Sequence, residues 1–135
     1  MYDNELEFSI LENNNAFKCI AKLKSEEICK CQINVSNSTW TISSWYTDKK
    51  HLNKGIGTKT LKHLLKYLYK VFGTPKCVEY IWNGANEYVY EWMENNFGAI
   101  SKCPIAVQKT QSDDDWSSHI YCLNVEKVIK YFELI

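Results

Sequence analysis

Gly55 and Gly57 stand among Lys54, Thr58 and Lys59, where a loop gives way to a leucine-rich run of helical spacing. Glycine has no Cβ, so a ligand can come close to its backbone, and the first N–H groups of a helix have no internal acceptors. With the positive end of the helix dipole, those donors make a seat for a phosphate. Lys54, Thr58 and Lys59 add charge and a hydroxyl. All sixteen basic residues are lysine. The planar two-pronged guanidinium contact is therefore excluded, and an anion must be held by backbone N–H groups and lysine point charges.

Two common phosphate motifs do not fit. The dinucleotide fingerprint G-x-G-x-x-G fails because its third glycine position is Thr60, and the P-loop fails because nothing supplies its first glycine. Net charge is zero overall but unevenly placed: residues 1 to 48 carry −3, residues 49 to 78 carry +8 with eight lysines and no acid, and residues 79 to 135 carry −5. The basic block suggests an anionic partner, and a solvated helix face explains it equally well. Nucleic acid is not the expected partner. Tyr67 and Tyr69 lie among the lysines, but without arginine or a reading motif only non-specific phosphate contact would follow.

The elements that must position these residues come from hydrophobic periodicity. Alternation gives strands over residues 5 to 12, 16 to 23 and 28 to 35, separated by "NNN" and "SEE", and residues 39 to 47, "TWTISSWYT", are rich in β-branched and aromatic types. These four form an N-terminal antiparallel meander. From residue 55 to 72 the period changes. Leu61, Leu64, Leu65, Leu68, Val71 and Phe72 line one helical face, Lys59, Lys62, Lys66 and Lys70 the other, and Gly73 and Pro75 end the helix. Residues 76 to 82 read as a mostly apolar strand, parallel to the strand before the crossover helix. A short helix over about 86 to 96, a strand near 97 to 107, a polar loop, a strand over 119 to 124 and a helical tail complete one α/β domain with a mixed (α+β) sheet over residues 1 to 135.

The 45% hydrophobic content supports a packed core. The N-terminus lacks a basic opening and an apolar run, and no stretch approaches the roughly 20 apolar residues of a membrane span, so a cytoplasmic location without membrane contact is expected. Six cysteines (Cys19, Cys29, Cys31, Cys77, Cys103, Cys122) form no C-x-x-C pair and read as buried reduced thiols. With His51, His63 and His119 scattered, no metal site is expected.

Over residues 39 to 100 the sequence resembles the GNAT superfamily of N-acetyltransferases. "WYTDKKHLNKGIGTKTLKHLL" is similar to its motif A, a strand and short loop followed by [QR]-x-x-G-x-[GA] opening a long helix. "KCVEYIWNGANEYVYEWMENNFGA" is similar to its motif B. The resemblance implies acetyl-CoA as co-substrate. Asn53, Lys54, Gly55, Ile56, Gly57 and Thr58 would hold its pyrophosphate, Trp45, Tyr46 and Thr47 its pantetheine arm, and Asn86 would bond the arm or cap its own helix. Departures are visible too. Leu52 stands where glutamine or arginine is usual, and the pair of helices common between the family's first two strands is missing.

Acetyl transfer to an amine needs a base, an oxyanion donor and an acid for the leaving thiolate. Ser43 and Ser44 stand where the family often has a glutamate. Glu79 is the one charge in "CVEYIW": buried beside a cleft it would be poised as a base, and at an edge or facing solvent it would be inert. Asp48 and His51 are loop alternatives. Trp92 stands where the family tends to have its tyrosine acid, which leaves Tyr88, one turn earlier, with Tyr90 close by. The expected function is N-acetylation of a primary amine whose identity the sequence does not specify, with a non-catalytic CoA- or protein-binding module as the alternative. The acidic loop at 112 to 115 hints at a cationic acceptor, and the aromatic C-terminal strand and tail would suit a homodimer.

Overall fold

A computed structural model describes residues 6–52, 54–82, 87–98, 100–101 and 119–135. Four antiparallel strands open the chain: β1 (Leu6–Asn13), β2 (Ala16–Leu23), β3 (Glu26–Ser36) and β4 (Thr39–Thr47). Two-residue turns join them. Lys24–Ser25 and Asn37–Ser38 both hold positive φ at each turn residue, the backbone hand that suits the twist of a tight hairpin. Glu26 and Glu27, expected as part of a turn, instead begin β3, because Lys24 and Ser25 complete the reversal.

Helix α1 (Ile56–Phe72) crosses from β4 to β5 (Cys77–Trp82), and the two strands pair in parallel, as a crossover connection requires. Helix α2 (Glu87–Phe97), β6 (Ile100–Ser101), β7 (His119–Leu123) and α3 (Val125–Tyr131) follow. The residue before α3, Asn124, caps it by accepting from the Lys127 N–H at 3.0 Å. Phe97, expected to open a strand, ends α2: its side chain is buried and Gly98 takes the positive φ of a helix terminus. The sheet order among the described strands is β1-β2-β3-β4-β5-β7-β6, with β7 antiparallel to both of its neighbours. No helix among the described residues is long and apolar enough to cross a membrane.

Leu61, Leu64, Leu65 and Leu68 of α1 are fully buried against Cys31, Ile33, Trp40, Ile42 and Val78. Burying each such leucine contributes about 1.5–3 kcal/mol, which fixes the helix to one face of the sheet. Ile56, the first residue of α1, is buried with Ala21, Ile28 and Cys29, and so anchors the glycine end of the helix. The lysine stripe lies on the outer side. Lys62 there meets Glu133 at 2.9 Å. Tyr67 and Tyr69 pack against the core, so the fold leaves the basic face without them as stacking platforms.

Candidate active site

Strand β4 changes partners along its length. From Thr39 to Ile42 it is hydrogen-bonded on both sides, to β3 and to Cys77–Tyr80 of β5. Gln32 then pairs with Ser44 while Ile33 pairs with Ile42, leaving Ser43 as an extra residue on β4. This is a β-bulge, which bends the strand that carries it. Its hydroxyl bonds back to the Gln32 carbonyl at 3.4 Å. Past the bulge β4 continues to Thr47 and β5 to Trp82, yet the ladder between them stops at Ile42 opposite Tyr80. The parallel pair thus splits, and residues 44 to 47 keep only their β3 partner among the described strands.

The bulge also resets the phase of the side chains. Trp40 and Ile42 face α1 before it, and Trp45 and Thr47 face α1 after it, opposite Cys31 and Cys29. Trp45 Nε1 donates to the Gly57 carbonyl at 3.0 Å, and Thr47 Oγ1 lies 3.3 Å from Cys29 Sγ. The first turn of α1 therefore abuts the end of β4 that has parted from β5.

The two glycines of this turn serve different ends. Gly55, the N-cap of α1, has φ +78° with open space where a Cβ would go, so it is needed for its backbone conformation. Gly57 is needed for room: a Cβ there would lie 3.1 Å from Thr47 Oγ1 and 3.3 Å from Trp45 Nε1. Among the described residues no side chain caps α1 and its first turn holds no acid, which leaves the helix end open to an anion. Lys54 is exposed and Thr58 half-buried, whereas the Ile56 side chain is committed to the core and can offer only its backbone. Thr60, in place of a third glycine, is buried and donates to the Ile56 carbonyl at 2.7 Å. Asn53 and Asn86 lie outside the described residues. Leu52 is half-exposed, and Tyr46 points to the face away from α1.

Glu79 is neither at an edge nor solvent-facing. Strand β5 lies between β4 and β7, and Glu79 is only 8% exposed, opposite Thr41 on one side and Cys122 on the other. Thr41 Oγ1 donates to its carboxylate at 3.1 Å, a partner that sequence distance hid. Val78 and Tyr80 point into the helix-covered core, so strand alternation puts Glu79 on the other face, one rung from where the ladder ends. Tyr80, in the last rung, is buried, which pushes its phenol up to about 12 and keeps it protonated at neutral pH. Tyr88 falls in the first turn of α2, and its side chain and that of Tyr90 lie outside the described part. Trp92 is a packing residue, touching Trp45 with ring centroids 5.7 Å apart and meeting Phe97 and Tyr131 edge-on.

Asp48 and His51 do not join this group. They lie at the outer end of β4, where the fold brings both together with Glu26, the three having potential ligand atoms within 4.8 Å of one another. Nor are all the described cysteines fully buried: Cys77 and Cys122 are of intermediate burial.

No family model matches the sequence, and no curated protein does. Solved structures match well in shape. A GNAT-family acetyltransferase from Elizabethkingia anophelis with acetyl-CoA bound superposes with a TM-score of 0.65 at 12% identity, over 90% of this chain and 99% of that one. A GNAT-family acetyltransferase from Staphylococcus aureus gives 0.63 at 15% identity, over 84% and 70%. The PaiA N-acetyltransferase from Thermoplasma acidophilum, in complex with coenzyme A, gives 0.61 at 14% identity over 82% of this chain, which spans 61% of its length. The chain has the GNAT acetyltransferase fold, a mixed sheet with helices packed on it, and it joins β1 to β2 by a two-residue turn.

Proposed function

We propose that the protein is an acetyl-CoA-dependent N-acetyltransferase acting on a primary amine. The observation that carries this reading is the split at Ile42 and Tyr80, which opens beside an uncapped helix end carrying Gly55 and Gly57. Acetyl-CoA supplies an activated acetyl thioester. The N–H groups of the first turn of α1, with Lys54 and Thr58, would hold the pyrophosphate, and Trp45, Tyr46 and Thr47, paired with β3 but parted from β5, would take the pantetheine arm as an added strand. Asn53 and Asn86 complete this set.

Glu79 is proposed to accept the proton of the attacking amine, directly or through water, with Thr41 orienting its carboxylate. The amine nitrogen bonds to the acetyl carbon, the carbon–sulfur bond breaks, and a phenol protonates the thiolate. Tyr88 is the first choice and Tyr90 the second. Backbone N–H groups on the β5 side of β4 past Ile42 would receive the developing oxyanion.

Titration calorimetry with acetyl-CoA and CoA tests the binding step. The native chain should bind both, and Gly57→Trp should weaken binding by at least about a hundredfold through misplacement of the turn. No binding by the native chain would sink the proposal. Release of free thiol across a panel of amines tests turnover, which Glu79→Gln should lower. A second reading, a CoA-binding module without turnover, is compatible with the packing of Trp92 and with the two-residue turn between β1 and β2, but the likeness to acetyltransferases does not favour it. Binding without turnover on any amine is its signature.

A further inference from the structure

We propose that Cys77 and Cys122 form a cross-strand dithiol that closes reversibly to a disulfide, an oxidisable site on the face of the sheet away from α1. Their sulfurs are 3.6 Å apart. Cys122 is the ladder partner of Glu79, and Cys77 lies two residues before Glu79 on the same strand, so the two thiols are diagonal neighbours on one face. Both are partly buried rather than sealed in the core. The β5–β7 ladder begins only at Val78 opposite Leu123, which leaves Cys77 just beyond it. Closing the gap to the roughly 2.05 Å of a disulfide bond therefore breaks no rung between those strands.

The other described cysteines mark the contrast. Cys19, Cys29 and Cys31 are at most 1% exposed beneath α1. Burial pushes the Cys19 thiol up to about 12 and the Cys31 thiol higher still, so neither offers thiolate or access to a reagent. Cys77 and Cys122 are outside that sealed core, and a sulfur that takes up a low-molecular-weight disulfide has the second sulfur 3.6 Å away to resolve the mixed disulfide. The balance is thiol–disulfide exchange. The reagent's S–S bond breaks, the Cys77–Cys122 S–S bond forms, and the two protein thiol protons leave on two small-molecule thiols. A small disulfide is reduced as the dithiol is oxidised. The inference rests on these sulfurs alone and is independent of the proposed acetyl transfer.

The test uses the full chain and glutathione disulfide, read by intact mass and peptide mapping. The expected product has lost two hydrogens, about 2 Da, carries no glutathione at Cys77 or Cys122, yields one cross-linked peptide joining them, and reverts with dithiothreitol. Cys77→Ser and Cys122→Ser should each instead retain one glutathione on the remaining thiol, having lost its resolving partner. Phenylarsine oxide, which is held by paired thiols, should bind the native chain and be blocked by prior oxidation, so the result does not depend on either variant folding. Stable glutathione on both cysteines of the native chain, or no reaction at either, would overturn the proposal.

Discussion

The two halves of β4 share one neighbour and differ in the other. Thr39–Ile42 lies between β3 and β5 with Trp40 and Ile42 sealed in the core, whereas the stretch from Ser44 to Thr47 keeps β3 and parts from β5. One extra residue, Ser43, separates a load of core packing from a strand edge able to receive a ligand. Because the bulge also shifts side-chain phase, Trp45 and Thr47 still face α1 and brace Gly57. The strand stays anchored to the core on both sides of the bulge while its β5 side opens.

The strongest way to probe the core half is Ile42→Ala. This side chain is 2% exposed and packed among the α1 leucines, so truncation should cost about 2–5 kcal/mol of stability by denaturant unfolding. CoA affinity of the folded fraction should change little. A stability loss below about 0.5 kcal/mol would mean that Ile42 is not a core residue.

Deleting Ser43 addresses the other half. Gln32–Ser44 and Ile33–Ile42 would become consecutive rungs, so the β3 register and the inward facing of Trp45 and Thr47 are preserved. Only the bend is removed, and β4 can then continue its ladder with β5. CoA binding should fall by about a hundredfold or more while the fold persists, as read by calorimetry and thermal unfolding on the same sample. Unchanged affinity would separate the split from the binding site.

Trp45→Phe is a milder change in the same half. It removes the N–H that reaches the Gly57 carbonyl and keeps most of the ring packing on Trp92. A lost hydrogen bond of this kind is worth about 1 kcal/mol, which should weaken CoA binding roughly fivefold if it holds the turn in place. An effect on stability with none on binding would make the bond structural only.

Much of this arrangement is legible in the residues. The bounds of β4 and α1 follow from β-branched and helical patterns, and the glycine turn from its own composition. The bulge has a signature too: Trp40 and Ile42 are two apart, but the next inward residue, Trp45, is three further on, and that odd step marks a phase change within "TWTISSWYT". By contrast, the Glu79–Thr41 bond and the Cys77–Cys122 contact join residues 38 and 45 positions apart. Only the strand order and register bring them together, and no local pattern encodes either. The Phe97 helix end was hidden for another reason, since a single aromatic beside glycine is compatible with a strand start as well as with a helix terminus.

The smallest expected effect lies away from both halves of β4 and serves as a control on them. His63 on α1 stacks on Phe8 of β1, with ring centroids 4.7 Å apart, and burial against that contact lowers its pKa. The folded state therefore favours neutral imidazole, and the unfolded chain binds the proton first, near pH 6.5. Its contribution to stability is full above that pH and is lost as pH falls toward and through the lowered folded value. The midpoint of thermal unfolding should drop more steeply from pH 7.5 to 5.5 in the native chain than in His63→Gln, with a histidine ring NMR titration placing the His63 midpoint below 6.5. The variant should bind CoA like the native chain at pH 7.5, because the Phe8 contact lies outside the split. Equal pH slopes in the two chains would remove His63 from the account. A loss of CoA affinity in the variant would show that the β1 side of α1 is coupled to the glycine turn, and the separation between the two halves of β4 would have to be redrawn to include it.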